Sequence, residues 1–532
     1  MRALSFFVSV LGAAADTAQA PALIQQRSRL RGGRIVELHE LEEKALGRGL
    51  HVEGQRYSDD DASCSAEGIS PGVCALASLA RPSSTKAFSA MGGADCNKKE
   101  SRDRLERALI AEIESALAGN HTGLDEKRLR QLEEELRPIY TTLPAKDADG
   151  EEGGLGYAAA KYLLHQHFLR QHAWYVRGLN PAGDGRKPPD DKEALRSRVA
   201  GHLLEVMEGK APNGLDLKML AVFVATLEHL IHGDQRERLK QAWLIHGLKP
   251  DDATSPEGLV TVLEVFMAHY VYVSQKNDSG YALTSEKAAE EVKTISRIYG
   301  GWPQIQDFIQ KQVAIHQKKR VSFDDAANAA DAVLLVFQEV SGSMCHDMEK
   351  TVQSLPGGQE GRVKLNHLRS ADGGDLFRES VEYLRELGAL EGPFESELVL
   401  MPNYMLGPSN CDGTTSFYDL CCPNSCEVHK SRLERALMTD QGDPLNIITT
   451  VIRERSGFDL PEMHFQLEQL AKEHGGKILI HGQAFADLLH IVFPRECPKP
   501  RASDFKGMTG AVPDANAEFQ PTTALKADLF EW

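Results

Sequence analysis

Residues 219–233 read MLAVFVATLEHLIHG. Leu220, Phe223, Val224, Leu227, Leu230 and Ile231 recur at steps of three and four, which places them on one face of an α-helix. Gly233 is the expected C-cap. The same period runs outward in both directions. Upstream, Leu105, Leu109, Ile113 and Leu117 make one stripe. Leu129, Leu132 and Leu136 make another, expected to end at Pro138, and 157–176 reads as a third helix. Downstream, helices fit 257–274, 285–298, 303–318 and 325–340, then 428–438, 444–455 and 461–474. Strand-like alternation is scarce, so the fold class is mainly α.

The 532-residue chain is 42% hydrophobic and 26% charged, too apolar for a wholly disordered chain and long enough for more than one domain. Its 77 acidic and 60 basic side chains leave a net charge of −17. That argues against a general nucleic-acid binder, which needs clustered Lys and Arg against phosphate, and against a polybasic grip on anionic lipid.

Residues 1–20 carry Arg2, an apolar run from Ala3 to Ala15, and small residues two apart. This is the pattern of a secretory signal peptide, with cleavage after Ala15 or Ala20. The run is shorter than the roughly 20 residues a bilayer requires. The later apolar stretches 219–231 and 259–273 are interrupted by Glu228, His229, Glu264 and His269, so the mature chain is expected to lack a transmembrane span. Export follows as the expectation, with an extracellular ligand or protein as partner and with Asn120 and Asn277 as glycosylation acceptors. Residues 21–100 read as a flexible segment, a propeptide candidate, holding Cys64, Cys74 and Cys96.

Three places share one grammar of helix, Gly-rich loop, Gly-x-apolar, helix. They are KDADGEEGGLGYAAAKYLLH, LPGGQEGRVKLNHL and KEHGGKILIHGQAFADLLH. In an EF-hand loop, a Gly at position 6 makes the sharp turn and the apolar residue at position 8 pairs with a partner loop. Gly153 and Leu155, Gly361 and Val363, and Gly476 and Ile478 fit those parts. The ligands do not follow, because position 12 falls on Ala159, His367 and Gly482, and position 1 on Ala148, Pro356 and Ala471. With the frame shifted, Asp147, Asp149, Glu151 and Glu152 could supply calcium oxygens to the first loop, without a terminal Glu. The loops therefore read as degenerate EF-hand-like units, with calcium as the alternative cofactor and none as the principal expectation.

Catalytic and metal signatures are weak. His165 and His167 point to opposite sides of a helix, and His172 lies too far along it to share an ion with His165. Glu228 and His232 are spaced i,i+4, with His229 beside them, but offer at most three ligands and no HExxH. Cys345 and His346 are adjacent and so face different directions on a helix, which disfavours a thiol nucleophile. No nucleophile elbow, phosphate-binding loop or dinucleotide fingerprint is present. Catalysis is not expected, although an exported hydrolase with an unrecognised site stays open as an alternative.

Cysteine is the strongest local signal. Cys411, Cys421, Cys422 and Cys426 fall within PNYMLGPSNCDGTTSFYDLCCPNSCE, with Cys345 before them and Cys497 after them. Vicinal cysteines rarely bond each other, so Cys421 and Cys422 should reach different partners. Six cysteines allow fifteen pairings and the sequence does not choose among them. An oxidising compartment favours disulfides over zinc.

The blocks LRPIYTTLP, KYLLHQHFLRQHAWYVRGLNP, LAVFVATLEHLIH, RESVEYLRELGALE, PNYMLGPSNCDGTTSFYDLCCPNSCE and HGQAFADLLHIVFPRECPKP resemble a family of secreted or cell-surface proteins of single-celled algae and related protists. The resemblance spans about 125–500 and implies one framework for Cys345, Cys411, Cys421, Cys422, Cys426 and Cys497. It brings no catalytic residues.

The expected organisation is a signal peptide (1–20), a flexible segment (21–100), a helical domain (101–320), an EF-hand-like region (321–400), a cysteine-rich helical region (401–500) and a tail (501–532). Three disulfides are expected to tie the C-terminal third. Cys64, Cys74 and Cys96 then hold the odd thiol of nine.

Overall fold

Fifteen α-helices and five short strands form the described part of the computed structural model. It comprises residues 126–501 and Phe505, without 146–152, 182–198, 273–283, 316–318, 372–376, 378, 394–396, 413–414, 416, 440–441, 457–460, 474 and 477. In chain order, α1 (Glu126–Tyr140) and α2 (Tyr157–His172) precede strand β1 (Trp174–Val176). Six helices follow: α3 (Val199–Lys210), α4 (Leu217–Ile245), α5 (Pro256–Tyr272), α6 (Ser285–Ile298), α7 (Trp302–Ile315) and α8 (Phe323–Gln353). Short elements come next: β2 (Arg362–Lys364), α9 (Leu365–Ser370), α10 (Val381–Glu386), β3 (Leu390–Glu391), β4 (Leu398–Leu400), α11 (Met401–Met405) and β5 (Tyr418–Leu420). The last group is α12 (Cys426–Thr439), α13 (Pro444–Ser456), α14 (Pro461–Glu473) and α15 (Gln483–Val492).

Three apolar cores organise these elements. The largest gathers Leu132, Leu164, Phe223, Trp243, Phe266, Phe308 and Phe337 from α1, α2, α4, α5, α7 and the first half of α8. A second joins the last turns of α8 to the β2–β4–β3 sheet through Val352, Val363, Leu384, Val399 and Tyr404. The third unites α12–α15 through Leu433, Ile452, Leu467, Phe485 and Leu488.

A regularity links the loops. Leu155 bridges Leu215, Thr254 bridges Val321, and Val363 pairs with Val399, each antiparallel. All six residues stand two positions before the first residue of a helix: α2, α4, α5, α8, α9 and α11. The N-caps Asp216 and Ser322 accept hydrogen bonds from Met219 and Asp325 backbone N–H, so the bridge and the helix start are set together. The first pair packs backbone on backbone. A Cβ on Gly154 would lie 2.5 Å from the Gly214 carbonyl carbon, and Gly214 holds φ +91°. Gly154→Ala is expected to lower stability by about 1–3 kcal/mol in chemical denaturation, and an unchanged midpoint would contradict this close approach.

Several expectations need correction. The helix through Gly233 does not stop there; α4 continues to Ile245 because Leu239, Ala242 and Trp243 extend the buried stripe and Arg238 pairs with Asp234. That packing outweighs the roughly 1 kcal/mol cost of an interior Gly. The helix begun at Tyr157 ends at His172, not Val176. Ala173 turns left-handed (φ 53°), and Trp174–Val176 becomes a strand against Tyr418–Leu420. α1 passes through Pro138 to Tyr140. Ile478 forms no β-bridge among the described residues.

Six cysteines form three disulfides, Cys345–Cys422, Cys411–Cys421 and Cys426–Cys497. The vicinal pair continues the extended β5 backbone, where Cys421 N–H donates to Ala173 carbonyl. Successive residues there point to opposite sides, so Cys421 turns to Cys411 and Cys422 to α8. Among the described residues, no helix is long and apolar enough to cross a membrane.

Candidate functional site

The densest group of chemically capable side chains lies between the first and third cores. Helix α2 is buried along most of its length yet carries Tyr162, Gln166 and Arg170, while α12 carries Glu427, Lys430 and Glu434 at helical spacing on one face. Arg170 forks onto both carboxylates. Nε and Nη2 donate to Glu427 Oε2 at 2.9 and 2.6 Å, and Nη1 and Nη2 donate to Glu434 at 2.6 and 2.9 Å. Lys430 Nζ donates to Glu427 Oε1 at 3.2 Å and to Tyr162 Oη at 3.5 Å. With its nitrogen turned toward Glu427, the Gln166 amide donates to Oε2 at 2.8 Å.

His481, on the segment leading into α15, completes the seam. Thr142 Oγ1 donates to the Ile139 carbonyl (2.9 Å), so at 2.9 Å from His481 Nε2 it accepts from that ring nitrogen. Nδ1 is then bare and accepts from Tyr162 Oη at 3.2 Å. Glu434 is 1% exposed, Glu427 5%, Tyr162 4% and His481 3%, so these four are buried, while the Arg170 and Lys430 side chains reach the rim at 15% and 13% exposed.

The electrostatics follow from burial against pairing. Burial alone would raise the Glu427 carboxyl, but Lys430 and Arg170 hold it down at about 2. Burial raises Glu434, with Arg170 opposing. Burial would lower Lys430 and Arg170, yet Glu427 outweighs it and both stay firmly cationic. Burial keeps His481 neutral, pushed down to about 3, with Lys430 and Arg170 adding to the effect. Two cations face two carboxylates, a balanced network with its hydrogen bonds made internally.

A second polar group lines the first core. Arg128 donates to both oxygens of Glu228 (2.8 and 3.0 Å), and His172 Nε2 lies 3.3 Å from the same carboxylate. Burial would raise Glu228, but the His172 hydrogen bond and Arg128 bring it to about 2. Trp174 stacks between His172 and Tyr418, at 4.2 and 4.4 Å, and Tyr418 Oη meets Tyr270 Oη at 2.5 Å.

The residues singled out in sequence fall as follows. Glu228 and His232 do not share an ion: Glu228 is taken by Arg128 and His172, and His232 acts electrostatically on Asp331. Burial pushes His165 down to about 4 and His167 to about 3. Cys345 is disulfide-bonded while His346 projects into solvent. Among the described residues, no three His, Cys, Asp or Glu gather to hold a metal. Asp147, Asp149, Glu151, Glu152, Asn120, Asn277, Cys64, Cys74 and Cys96 lie outside the described residues. Missed in sequence were Arg170, Glu427, Lys430, Glu434 and His481. The available signal was the i, i+3, i+7 spacing of Glu427, Lys430 and Glu434.

Beside Cys345–Cys422 opens a cleft of about 120 Å³, lined among others by His346, Glu349, Met405 and Arg495. That is room for about four waters, well below the 300–1,000 Å³ of a typical small-molecule site. No family model, curated protein or solved structure matches the chain.

Proposed function

We propose that the protein is an exported, non-catalytic binding or structural protein that works at or beyond the cell surface. The observation that carries this reading is the buried seam: the groups best suited to acid–base work, Glu427, Glu434, Lys430, Tyr162 and His481, are engaged with one another and with Arg170 by hydrogen bonds, and all but Lys430 of those five are buried. Such a network specifies how two helical units meet. Three disulfides and the N-terminal leader pattern support the oxidising compartment, and the resemblance to secreted or cell-surface protist proteins agrees with it.

Expression through a eukaryotic secretory route, followed by intact-mass analysis and assays on ester, peptide and glycoside substrates, tests this. The expected outcome is a protein in the medium, trimmed after Ala15 or Ala20, with glycans on Asn120 and Asn277 and no turnover. Retention in the cytosol, or turnover lost on His346→Ala, would contradict it.

The paired loops favour one further reading, calcium binding by degenerate EF-hand-like units. Val363 pairs with Val399 after Gly361, which holds φ +72°, as position 8 follows the position-6 turn in such loops. Position 12 is Ala159, His367 and Gly482, which lack the required carboxylate. Calorimetric titration is expected to show no calcium binding below about 1 mM, the weak end of extracellular calcium modules; a tighter site would establish this reading instead.

A further inference from the structure

We propose that α12–α15 is an acid-releasable unit, docked onto the rest of the protein through two neutral imidazoles, His481 and His490, that serve as hydrogen-bond acceptors. The unit is built to open as one cooperative piece. It has its own apolar core, and Cys426–Cys497 closes it within itself. It meets the helical body where α12 packs against α1 and where the ionic seam joins α2, and the two apolar cores do not merge.

The two histidines meet different parts of the protein. His481 faces the helical body, donating through Nε2 to Thr142 and accepting at Nδ1 from Tyr162. His490, on α15, faces the β2–β4–β3 sheet. Its Nδ1–H donates to the Cys497 carbonyl at 2.8 Å, so Nε2 is bare and accepts from Arg362 Nη2 at 3.3 Å. Protonation removes the acceptor in both cases and places a new cation beside existing ones. For His481 the charged neighbours are Arg170 from α2, and Lys430, Glu427 and Glu434 from α12, with Glu434 at 3.6 Å. For His490 they are Arg362 from β2, Glu391 from β3 and Lys499 from the following segment. His165, on α2, also faces Glu427 and Lys430 across the seam.

The sign is set by linkage. Burial holds His481 at about 3 and His490 at about 4 in the docked state, while a free imidazole titrates near 6.5. Their contribution to docking is complete above pH 6.5 and is lost as pH falls toward 4 to 3. Between pH 7.5 and 5.0 the released state gains about thirtyfold for one histidine and about a thousandfold for two. Glu427, held low when docked, adds slightly to the loss as pH falls, whereas Glu434, raised by burial when docked, opposes it, so the figure of about a thousandfold is the upper bound set by the two histidines.

Hydrogen–deuterium exchange on the full disulfide-bonded chain, corrected for intrinsic rates, tests the proposal at pH 7.5, 6.5, 5.5 and 5.0. Amides of 426–492 are expected to lose protection by between about thirtyfold and about a thousandfold, while those of α4–α8 keep theirs. His481→Gln and His490→Gln should each flatten the pH slope for 426–492 by about thirtyfold, whatever they do to the level at pH 7.5. A parallel loss in α4–α8, a pH-independent 426–492, or an unchanged slope in the variants would each overturn the proposal.

Discussion

Arg170→Met is expected to lower the unfolding free energy by about 3–5 kcal/mol at pH 7, because it leaves Glu427 and Glu434 buried with Lys430 as their only cation. The second substitution in the series separates charge from packing. In Arg170→Met with Glu434→Gln, the Glu427–Lys430 pair stays balanced, and most of the loss should be recovered. Urea denaturation of wild type, both single variants and the double variant gives the coupling directly. Additive losses would show that Arg170 acts by filling space and that the seam is not an ionic unit. The exposed Arg130–Glu126 pair, 3.7 Å apart on α1, serves as the control and should change stability by less than about 1 kcal/mol.

Loss of the long-range disulfides should have an effect of similar size. Cys345–Cys422 and Cys426–Cys497 span sequence separations of 77 and 71 residues. On the chain-entropy account each restricts the unfolded chain by roughly 4 kcal/mol, whereas Cys411–Cys421, with a separation of 10, contributes less. Paired Cys→Ala variants at 345/422 and at 426/497 should therefore each lose about 2–5 kcal/mol, and the 411/421 variant the least. The two long bridges also act in different places. One anchors α8 to the chain just after β5, and the other closes α12–α15 on itself. Denaturation followed at Trp243 and Trp302, both buried in the first core, should register the 426/497 variant less than proteolysis within α12–α15 does. Equal stability of all three variants would contradict the loop-length argument.

Helix positions were legible wherever one face was apolar and the other polar. The stripe at 219–231 announced α4 because Leu220, Phe223, Val224 and Leu227 all enter the core. Its end was not legible. Gly233 is a stop signal only if the stripe stops, and Trp243, ten residues on, is buried by tertiary packing. Strand β1 was hidden for a related reason. WYV follows a helix with no Gly or Pro between them, and its partner, Tyr418–Leu420, lies more than two hundred residues away. The loop pairing was half legible: Leu155 and Val363 carried a Gly-x-apolar signature, whereas Thr254 and Val321 carried none.

The seam illustrates the limit more sharply. Arg170 sits in the segment 157–176, read only as a helix, and Glu427, Lys430 and Glu434 in and just before the helix expected at 428–438, and nothing in either segment names the other as its partner. Only the tertiary fold, with α12 packed on α1, brings the two polar stripes within side-chain reach of each other. The six cysteines were legible as a set, since Cys421 and Cys422 had to diverge. Their pairing required the direction of β5 and the place of Cys345 in the C-terminal half of α8.

Peptide mapping by mass spectrometry of the unreduced protein, expressed through a eukaryotic secretory route, tests the account most directly. The expected result is three cross-linked peptide pairs, joining Cys345 to Cys422, Cys411 to Cys421 and Cys426 to Cys497. Free thiols at Cys421 or Cys422, a bond between those two, or a protein that never leaves the cytosol would contradict it.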